Sequence, residues 1–339
     1  MTERDVLDEQ IEQLYMVGEQ VFDDGMRLEK LIVPDRSDRS PTKVEMQQMI
    51  ANADALLAAN KQWSAPIDRG EELILDNPVS EWVYDSPGMR EWRSELVPRA
   101  VALYPMQRPD IDQLPLSGGE IDPIARSFFV DALDSIGIRT RAKIMTSIAH
   151  RYIEDGAKWV SLACGAAVPV LDALQSGRRA EAMELHLVDL DPTALDFAEE
   201  LASERGVDQK HTLMRHELNL LRQLVKTDQL VDGLGEESAD LVDALGIFEY
   251  FNQQTSTQFM KNAFRLDKPG GALIAANMLL DRPELDFNQR GIGWPKIFPR
   301  SIDQLREIIV SAGLPLEQVT MSIPQDGVYV VIEIRKPAQ

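Results

Sequence analysis

The chain has 339 residues, 44% of them hydrophobic and 27% charged, which is typical of a globular protein with a sizeable core. Its formal net charge is −21, and because nucleic-acid phosphates are bound by basic surfaces, this charge argues against DNA or RNA as a main partner. No apolar run approaches the roughly 18 residues of a membrane span. The acidic N-terminus lacks the basic and apolar regions of a signal peptide. We therefore expect a protein that acts on small molecules, away from the membrane.

Cysteine and histidine usage limits the metal and redox chemistry. Cys164 is the single cysteine, which excludes an intrachain disulfide and a cysteine-cluster metal site and favours a reducing, cytoplasmic compartment. The four histidines show no metal-ligand spacing with carboxylates, so we predict no metal. They are His150, His186, His211 and His216.

The first third of the chain is predicted to be mainly helical. Apolar residues recur at three- and four-residue steps over 6–22 and again over 44–59, which predicts two helices. Between 63 and 115 seven prolines and three tryptophans break the pattern, which indicates short helices joined by turns. The Leu-Pro-Leu-Ser-Gly-Gly segment at 114–119 is the best linker candidate.

Residues 121–152 are again predicted to be helical. Arg141 borders the apolar stripe of the second helix in this segment. Two roles stay open for it, because long cationic side chains often edge an apolar face. It either forms a surface salt bridge or reaches an acidic group of a ligand near the end of the following strand.

The segment that follows has the pattern of half a nucleotide-binding βαβ unit. An apolar run (159–163) enters a loop of small residues, Cys164 to Ala167, and after a helical segment a second run (184–188) ends on Asp189. Small residues allow a ligand to approach the backbone, and the start of a helix offers free N–H groups. Asp189 lies 24 positions after Gly165, close to the spacing at which an acid accepts hydrogen bonds from a ribose.

Strands and helices alternate over the rest of the chain. This alternation predicts a mostly parallel sheet with helices on both faces and a ligand site at the carboxyl ends of the strands. A tight turn at 324–327 predicts that the last two strands are antiparallel. The predicted strands are 211–219, 240–245, 272–278, 316–323 and 328–335; the predicted helices are 193–206, 255–266 and 301–313; a turn is predicted at 268–271 and a long loop at 281–300.

In this order and spacing, the pieces resemble the class I S-adenosylmethionine-dependent methyltransferases over about residues 120–336. The resemblance is carried by the loop from Ser161 to Ala167, the Leu-Val-Asp-Leu-Asp-Pro motif at 187–192, the Asp-Leu-Val motif at 240–242, the Leu-Asp-Lys-Pro-Gly-Gly motif at 266–271 and the terminal hairpin. It implies an α/β fold, with a Rossmann-like doubly wound seven-stranded sheet and an antiparallel C-terminal hairpin. We expect this domain at 118–339, preceded by a helical cap or oligomerisation domain at 1–117.

The resemblance implies S-adenosylmethionine as the cofactor. The residues that match its cofactor site are Ser161, Ala163, Cys164, Gly165, Asp189, Leu190, Asn219, Leu220 and Ile247, to which we add Arg141 on the preceding helix. The chain departs from the family at two places. Ser161 stands where the family usually has an acid, and Ala163 and Ala167 replace glycines.

The chemistry requires little more than alignment, because the sulfonium of the cofactor is already an activated electrophile. Glu249 is the candidate to accept a proton or hold a substrate ammonium, and Tyr250 is the candidate to orient the acceptor. Candidate substrate contacts are Phe248, Asn277, Met278 and Trp294. The loop that carries Trp294 is long enough to be a lid, although core anchoring of its aromatic residues is the alternative.

The sequence therefore predicts a cytoplasmic enzyme, potentially a homodimer, that methylates an oxygen or nitrogen of a small molecule. Two alternatives stay open. Relatives such as nicotianamine synthases and azetidine-carboxylate-forming enzymes use the aminobutyrate arm of the cofactor and release methylthioadenosine. A non-catalytic binding protein with the same fold would retain the cofactor without turnover.

Overall fold

The computed structural model describes residues 14–69, 72–96, 99–176, 180–294 and 296–338. Its centre is a sheet of nine described strands in the order β1-β2-β10-β11-β9-β8-β5-β6-β7. The strands of this sheet and of a small separate hairpin (β3 and β4) are β1 Tyr15–Val21, β2 Arg27–Ile32, β3 Ile67–Arg69, β4 Glu72–Ile74, β5 Lys158–Leu162, β6 Glu184–Asp189, β7 Thr212–Glu217, β8 Ala239–Ala244, β9 Asp267–Met278, β10 Val319–Pro324 and β11 Tyr329–Arg335.

The described α-helices divide between the N-terminal third and the two faces of the sheet. They are α1 Lys43–Ala59, α2 Pro78–Val83, α3 Pro87–Glu91, α4 Tyr104–Gln107, α5 Pro123–Asp131, α6 Leu133–Ala149, α7 Val168–Gln175, α8 Pro192–Glu204, α9 Gln229–Leu234, α10 Gln253–Leu266 and α11 Ile302–Ser311. Among the described residues, none of these helices is long and apolar enough to cross a membrane.

The doubly wound architecture predicted from the alternation is confirmed. Strands β5 to β9 are mutually parallel where they pair, and their buried side chains alternate between two cores. Trp159 and its neighbours pack with α6, α7 and α8, whereas Val160 and its neighbours pack with α10 and α11. Because successive side chains of a strand point to opposite faces, one run of apolar residues serves both cores.

The C-terminal hairpin is also confirmed, and it completes the seven strands that the sequence predicts. Strand β11 pairs antiparallel with both β9 and β10. Ser301 caps α11 in a capping box with Gln304. Strand β9, however, begins at Asp267, so the turn predicted at 268–271 is wrong. Residues 268–271 continue the strand, with Gly270 at a φ of 85°.

The helix predicted over residues 6–22 is wrong in its described part. Residues 15–21 form β1, which pairs antiparallel with β2, and β2 adds in parallel to β10. Gly25, at a φ of 85°, allows the tight turn after Asp23 and Asp24 that closes this hairpin. Hairpin pairing therefore outweighs the helical spacing of the apolar residues. Residues 6, 7 and 11 lie outside the described part of the chain.

The N-terminal third forms a third core over one end of the sheet. The short helices predicted between 63 and 115 are present, together with the β3–β4 hairpin, and Tyr84, Trp92 and Phe129 are completely buried. The linker candidate at 114–119 is a tight turn, because the N–H of Leu114 donates to the carbonyl of Gly119 (2.8 Å) and Leu114 is buried. This segment is packed against the cap.

The loop predicted at 281–300 is anchored in this third core. It contains a π-helical segment, Phe287–Ile292, whose first and last residues are buried. Arg290 donates to the carbonyl oxygens of Leu57 and Asn60 on the cap. The structure therefore supports the alternative of core anchoring for this loop.

Glu284 is an unfavourable element of this anchored segment. It adopts a φ of 60°, is 8% exposed, and its Oε2 atom has no partner among the described residues. Burial, reinforced by the charge of Asp134, raises the pKa of Glu284 to about 8. An acid whose pKa is raised on folding stabilises the fold fully only below its unfolded pKa, and this contribution is lost as the pH rises through the folded value.

We predict that Glu284→Gln removes this pH dependence. The free energy of unfolding of the wild-type protein should fall by a few kcal/mol relative to that of the variant between about pH 5 and about pH 9. Urea unfolding at a series of pH values measures the difference. A constant difference across the series would show that Glu284 ionises normally in the folded state.

Candidate functional site

A cavity of about 510 Å³ lies at the carboxyl ends of β5, β6 and β8. Its volume is in the range of small-molecule sites, and its place is where open α/β sheets bind ligands. The loop after β5 forms one wall, the end of β6 a second and the loop after β8 a third. Residues of the cap between 99 and 107 also line the cavity.

The loop after β5 has an unusual backbone that explains its small residues. Ala163, Gly165 and Ala167 have φ values of 52°, 55° and 52°, in the left-handed region that favours glycine. A Cβ atom on Gly165 would lie 3.1 Å from the Cβ of Ala100 in the cap. The two alanines thus keep the conformation for which the family uses glycine, at a cost of about 1–2 kcal/mol each.

Asp189 links this loop to the end of β6. Its Oδ2 accepts the N–H of Gly165 (2.8 Å), and its Oδ1 accepts the N–H of Asp191 (2.9 Å). The side chain is 7% exposed, and its burial raises the pKa. Each carboxylate oxygen has a further lone pair, so Asp189 is oriented by the backbone and can still accept bonds from a ligand. Leu190, which is 62% exposed, lines the cavity beside it.

Arg141 is buried at the cavity wall. Its Nη1 lies 3.4 Å from Oε1 of Glu249, and its guanidinium stacks 4.2 Å from the ring centre of Tyr329. Of its two alternative roles, a surface salt bridge is therefore wrong, because the side chain is 5% exposed and its charge faces the cavity region. Burial raises the pKa of Glu249, and the neighbouring charge of Arg141 opposes this shift.

Tyr250 and Trp294 form an aromatic wall. The indole N–H of Trp294 donates to the hydroxyl of Tyr250 (3.0 Å), and both residues line the cavity. Burial raises the pKa of Tyr250 to about 12, so its hydroxyl stays neutral near neutral pH. It can donate or accept a hydrogen bond, but it cannot act as an ionised base there.

Seven predicted site residues, one of them Glu249, do not line the cavity as the structure describes it. The others are Ser161, Asn219, Leu220, Phe248, Asn277 and Met278, and Glu249 reaches it only through Arg141. Leu220, Phe248 and Met278 are packed in the hydrophobic cores.

The polar members of this set are engaged elsewhere. The amide of Asn277 donates to the carbonyls of Met278 and Phe298 and accepts from Arg300 (2.6 Å), so it is not free for a substrate. Asn219 is exposed and accepts the N–H of Arg222 (3.1 Å), which closes a turn. The position of a residue at a strand end does not determine which way its side chain points.

The cap wall and Asp243 are not predicted by the sequence. Arg99, Ala100, Ala102, Leu103 and Gln107 line the cavity, although nothing in their local pattern distinguishes them from other residues of the cap. Asp243 could have been noticed as a carboxylate inside an otherwise apolar strand. It is 3% exposed, and its Oδ1 accepts the indole N–H of Trp159 (2.7 Å).

Two histidines and a glutamate meet on the sheet away from the cavity. Nδ1 of His186 lies 2.8 Å from Nε2 of His216, and its Nε2 lies 2.5 Å from Oε1 of Glu184. His186 therefore contacts both a carboxylate and a second imidazole. The nitrogen–nitrogen distance is that of a hydrogen bond, and no group of metal-binding geometry is found among the described residues.

Comparisons with known proteins agree with this geometry. Residues 160–275 match a family model described as a methyltransferase domain. The chain carries a class I S-adenosylmethionine-dependent methyltransferase domain. The matched segment contains the loop after β5, Asp189 and the loop after β8, which are three walls of the cavity. S-adenosylmethionine is the cofactor of this domain, and the protein is a transferase that uses it.

Solved structures show the same fold. A protein from Bordetella parapertussis, described as a possible exported protein, is 18% identical, with 90% of this chain and 100% of that chain covered and a TM-score of 0.60. An O-methyltransferase family protein from Burkholderia thailandensis is 17% identical over 85% of this chain and 84% of its own, with a TM-score of 0.45. The second similarity is too low to add to the argument. A comparison with curated protein sequences found no match.

The residues of the methyltransferase domain fit the cofactor. Asp189 offers free acceptor sites at the place of the ribose hydroxyls, the glycine-type loop offers its backbone, and Arg141 offers a cation for the methionine carboxylate. The Gly165 N–H of the loop is already bonded to the Asp189 carboxylate (2.8 Å), which fixes the loop beside the acid.

We predict that Ala163→Gly stabilises the protein. Glycine relieves the left-handed strain at this position, and after the entropy cost of glycine in the unfolded chain the net gain should be about 1 kcal/mol. Ala166→Gly is the matched control, because Ala166 lies in the same loop without a positive φ and should lose stability. Thermal unfolding of both variants measures the effect, and equal destabilisation would contradict the strained loop.

We predict that Asp189→Ala weakens cofactor binding by about 10- to 100-fold, since hydrogen bonds to a charged group are lost. Calorimetry with S-adenosylhomocysteine measures the affinity. Asp196→Ala is the control, because Asp196 pairs with Arg215 on the surface and should leave the affinity unchanged. Unchanged affinity of the Asp189 variant would remove this residue from the cofactor site.

Proposed function

We propose that the protein transfers the methyl group of S-adenosylmethionine to an oxygen or nitrogen of a small molecule. The observation that carries the proposal is the cavity in which the glycine-type loop, Asp189 and the Tyr250–Trp294 wall meet beneath the cap. These elements combine a cofactor site with an aromatic surface for a second molecule. The volume supports a small acceptor and argues against a macromolecular one.

Each end of the cofactor has a matching group in this chain. Asp189 accepts hydrogen bonds from the ribose hydroxyls, and Leu190 packs against the adenine. Arg141 binds the methionine carboxylate, because it is the buried cation at the wall. When bound, the cofactor supplies an electrophilic methyl group on a sulfonium.

The protein contributes alignment and the exclusion of water. Ala102 and Leu103 of the cap, with Ile138 and Ile247, provide apolar surface that keeps water from the reacting groups. Tyr250 fixes the acceptor through its neutral hydroxyl, whose orientation is set by Trp294. Holding two reactants in the attack geometry accounts for a large part of the barrier reduction in such reactions.

Glu249 acts on Arg141 in this proposal and is not the proton acceptor. Its carboxylate is buried behind the guanidinium, and its Oε2 has no partner among the described residues. The ion pair orients Arg141. The acceptor must therefore lose its proton to solvent or be a neutral amine or an acidic hydroxyl at the working pH.

The apolar lining also supports an acceptor with an apolar body and one small polar group.

We retain the expectations of a cytoplasmic enzyme that uses no metal and forms a homodimer, with the single cysteine supporting a reducing compartment. Size-exclusion chromatography with light scattering tests the oligomeric state.

Mass spectrometry of the purified protein with S-adenosylmethionine, alone and with a metabolite extract, tests the reaction. S-adenosylhomocysteine formed only with extract, together with an acceptor heavier by one methyl group, is the expected result. Methylthioadenosine would instead show transfer of the aminobutyrate arm. Bound cofactor without any product would indicate a binding protein.

Tyr250→Phe should raise KM for the acceptor by about 10-fold, because one hydrogen bond is lost.

A further inference from the structure

Asp243 is a buried carboxylate that lacks a cationic partner. It is 3% exposed, it accepts a hydrogen bond from the Trp159 indole (2.7 Å), and it is hydrogen-bonded to the hydroxyl of Ser161. No lysine or arginine among the described residues forms an ion pair with it. Burying an ionised carboxylate is costly unless a positive charge compensates it. The cost is relieved either by protonation of the carboxyl or by a positive charge from outside the described residues, such as that of a ligand.

Asp243 lies directly behind the loop that forms the cofactor wall. Ser161 on β5 and Asp243 on β8 are register partners in a parallel pair, so their side chains stand side by side on one face of the sheet. The loop begins two residues after Ser161. The charges of Asp189 and Asp243 add to the burial that raises the pKa of the Cys164 thiol, and Cys164 lines the cavity. The field of Asp243 thus reaches the cavity wall.

The described residues that interact with Asp243 carry no positive charge. Strand β5 presents Trp159 and Ser161 to it, the loop presents Cys164, and β9 places Ile274 beside it. Asp240, the other acid of β8, is paired with Lys268. Among the described residues Asp243 has no ion-pair partner, so its charge is available to compensate a cation in the cavity.

We propose that Asp243 is the counter-charge for the α-ammonium group of the cofactor's aminobutyrate arm, acting across the loop after β5. The inference rests on the proposed cofactor site. Ser161 stands where the family usually has an acid. Asp243, its register partner on β8, supplies a carboxylate beside that position. Burial of Asp243 strengthens the attraction between the two charges, because the effective dielectric constant is lower in the protein interior than in water. Asp243 is a positioning residue, since it does not line the cavity.

This arrangement couples cofactor binding to a proton. In the free protein, burial raises the pKa of Asp243 to about 7, so the carboxyl is partly protonated at neutral pH. A nearby ammonium favours the ionised form and lowers this pKa. Binding should then release a proton, and affinity for ligands with an ammonium should rise as the pH increases through about 7.

Calorimetry at pH 7 in two buffers of different ionisation enthalpy measures the proton release. S-adenosylhomocysteine, which has the ammonium, should release about half a proton per site. Methylthioadenosine, which lacks the aminobutyrate arm, should release none. With Asp243→Asn we expect no release and an affinity for S-adenosylhomocysteine lower by about 10- to 100-fold, while affinity for methylthioadenosine is unchanged.

Asp240→Asn is the matched control on the same strand and should keep the wild-type proton release. Ser161→Ala supplies a second test should Asp243→Asn fail to fold. It removes a hydrogen bond to the ionised carboxylate and should therefore move the pH dependence of the affinity to higher pH.

Two results would overturn the inference. Proton release that persists in Asp243→Asn, or an equal loss of affinity for both ligands, would overturn it while leaving the proposed function intact. A wild-type protein that binds neither ligand would overturn the proposed function together with the inference.

Discussion

The hydrogen bond from the Gly165 N–H to the Asp189 carboxylate ties together the two strand ends on which the site depends. It fixes the loop after β5 against β6 and orients the acid toward the cavity. The left-handed backbone at Ala163, Gly165 and Ala167 is the geometric condition for this bond, because it turns the loop sharply after β5. The left-handed backbone favours small residues in this loop. It also brings Gly165 so close to Ala100 of the cap that a side chain at Gly165 would be crowded.

The cap completes the site because it is packed as a core of its own. Trp92, Phe129 and Phe287 bury the junction between the cap and the segment after β9. Arg290 on that segment donates to backbone carbonyls of the cap, so the two parts are joined by hydrogen bonds as well as by apolar contact. The cavity wall that carries Trp294 is therefore held in place before any ligand binds.

The sequence predicts the elements that local patterns of apolar residues and turn residues determine. It does not predict the features that depend on contacts between residues far apart in the chain. The order of strands and helices, the loop after β5, Asp189 and the C-terminal hairpin all follow from period, turn residues and spacing. The β1 strand could not be predicted with the same ease, because apolar spacing at 15–22 fits a helix as well and the pairing with β2 decides it. Asn277 sits at a strand end as predicted, yet Arg300 and two carbonyls occupy its amide. The Arg99–Gln107 wall has no local signature.

Two of the five tryptophans stand where their emission reports on the site. The Trp294 indole is part of the cavity wall and is bonded to Tyr250, so a ligand that displaces water there alters its surroundings directly. The Trp159 indole donates to Asp243, and a change in the charge of that carboxylate alters the field on the ring. The protein thus contains two intrinsic fluorophores, one beside the acceptor and one beside the buried acid, and ligand occupancy and protonation can be followed optically without a label.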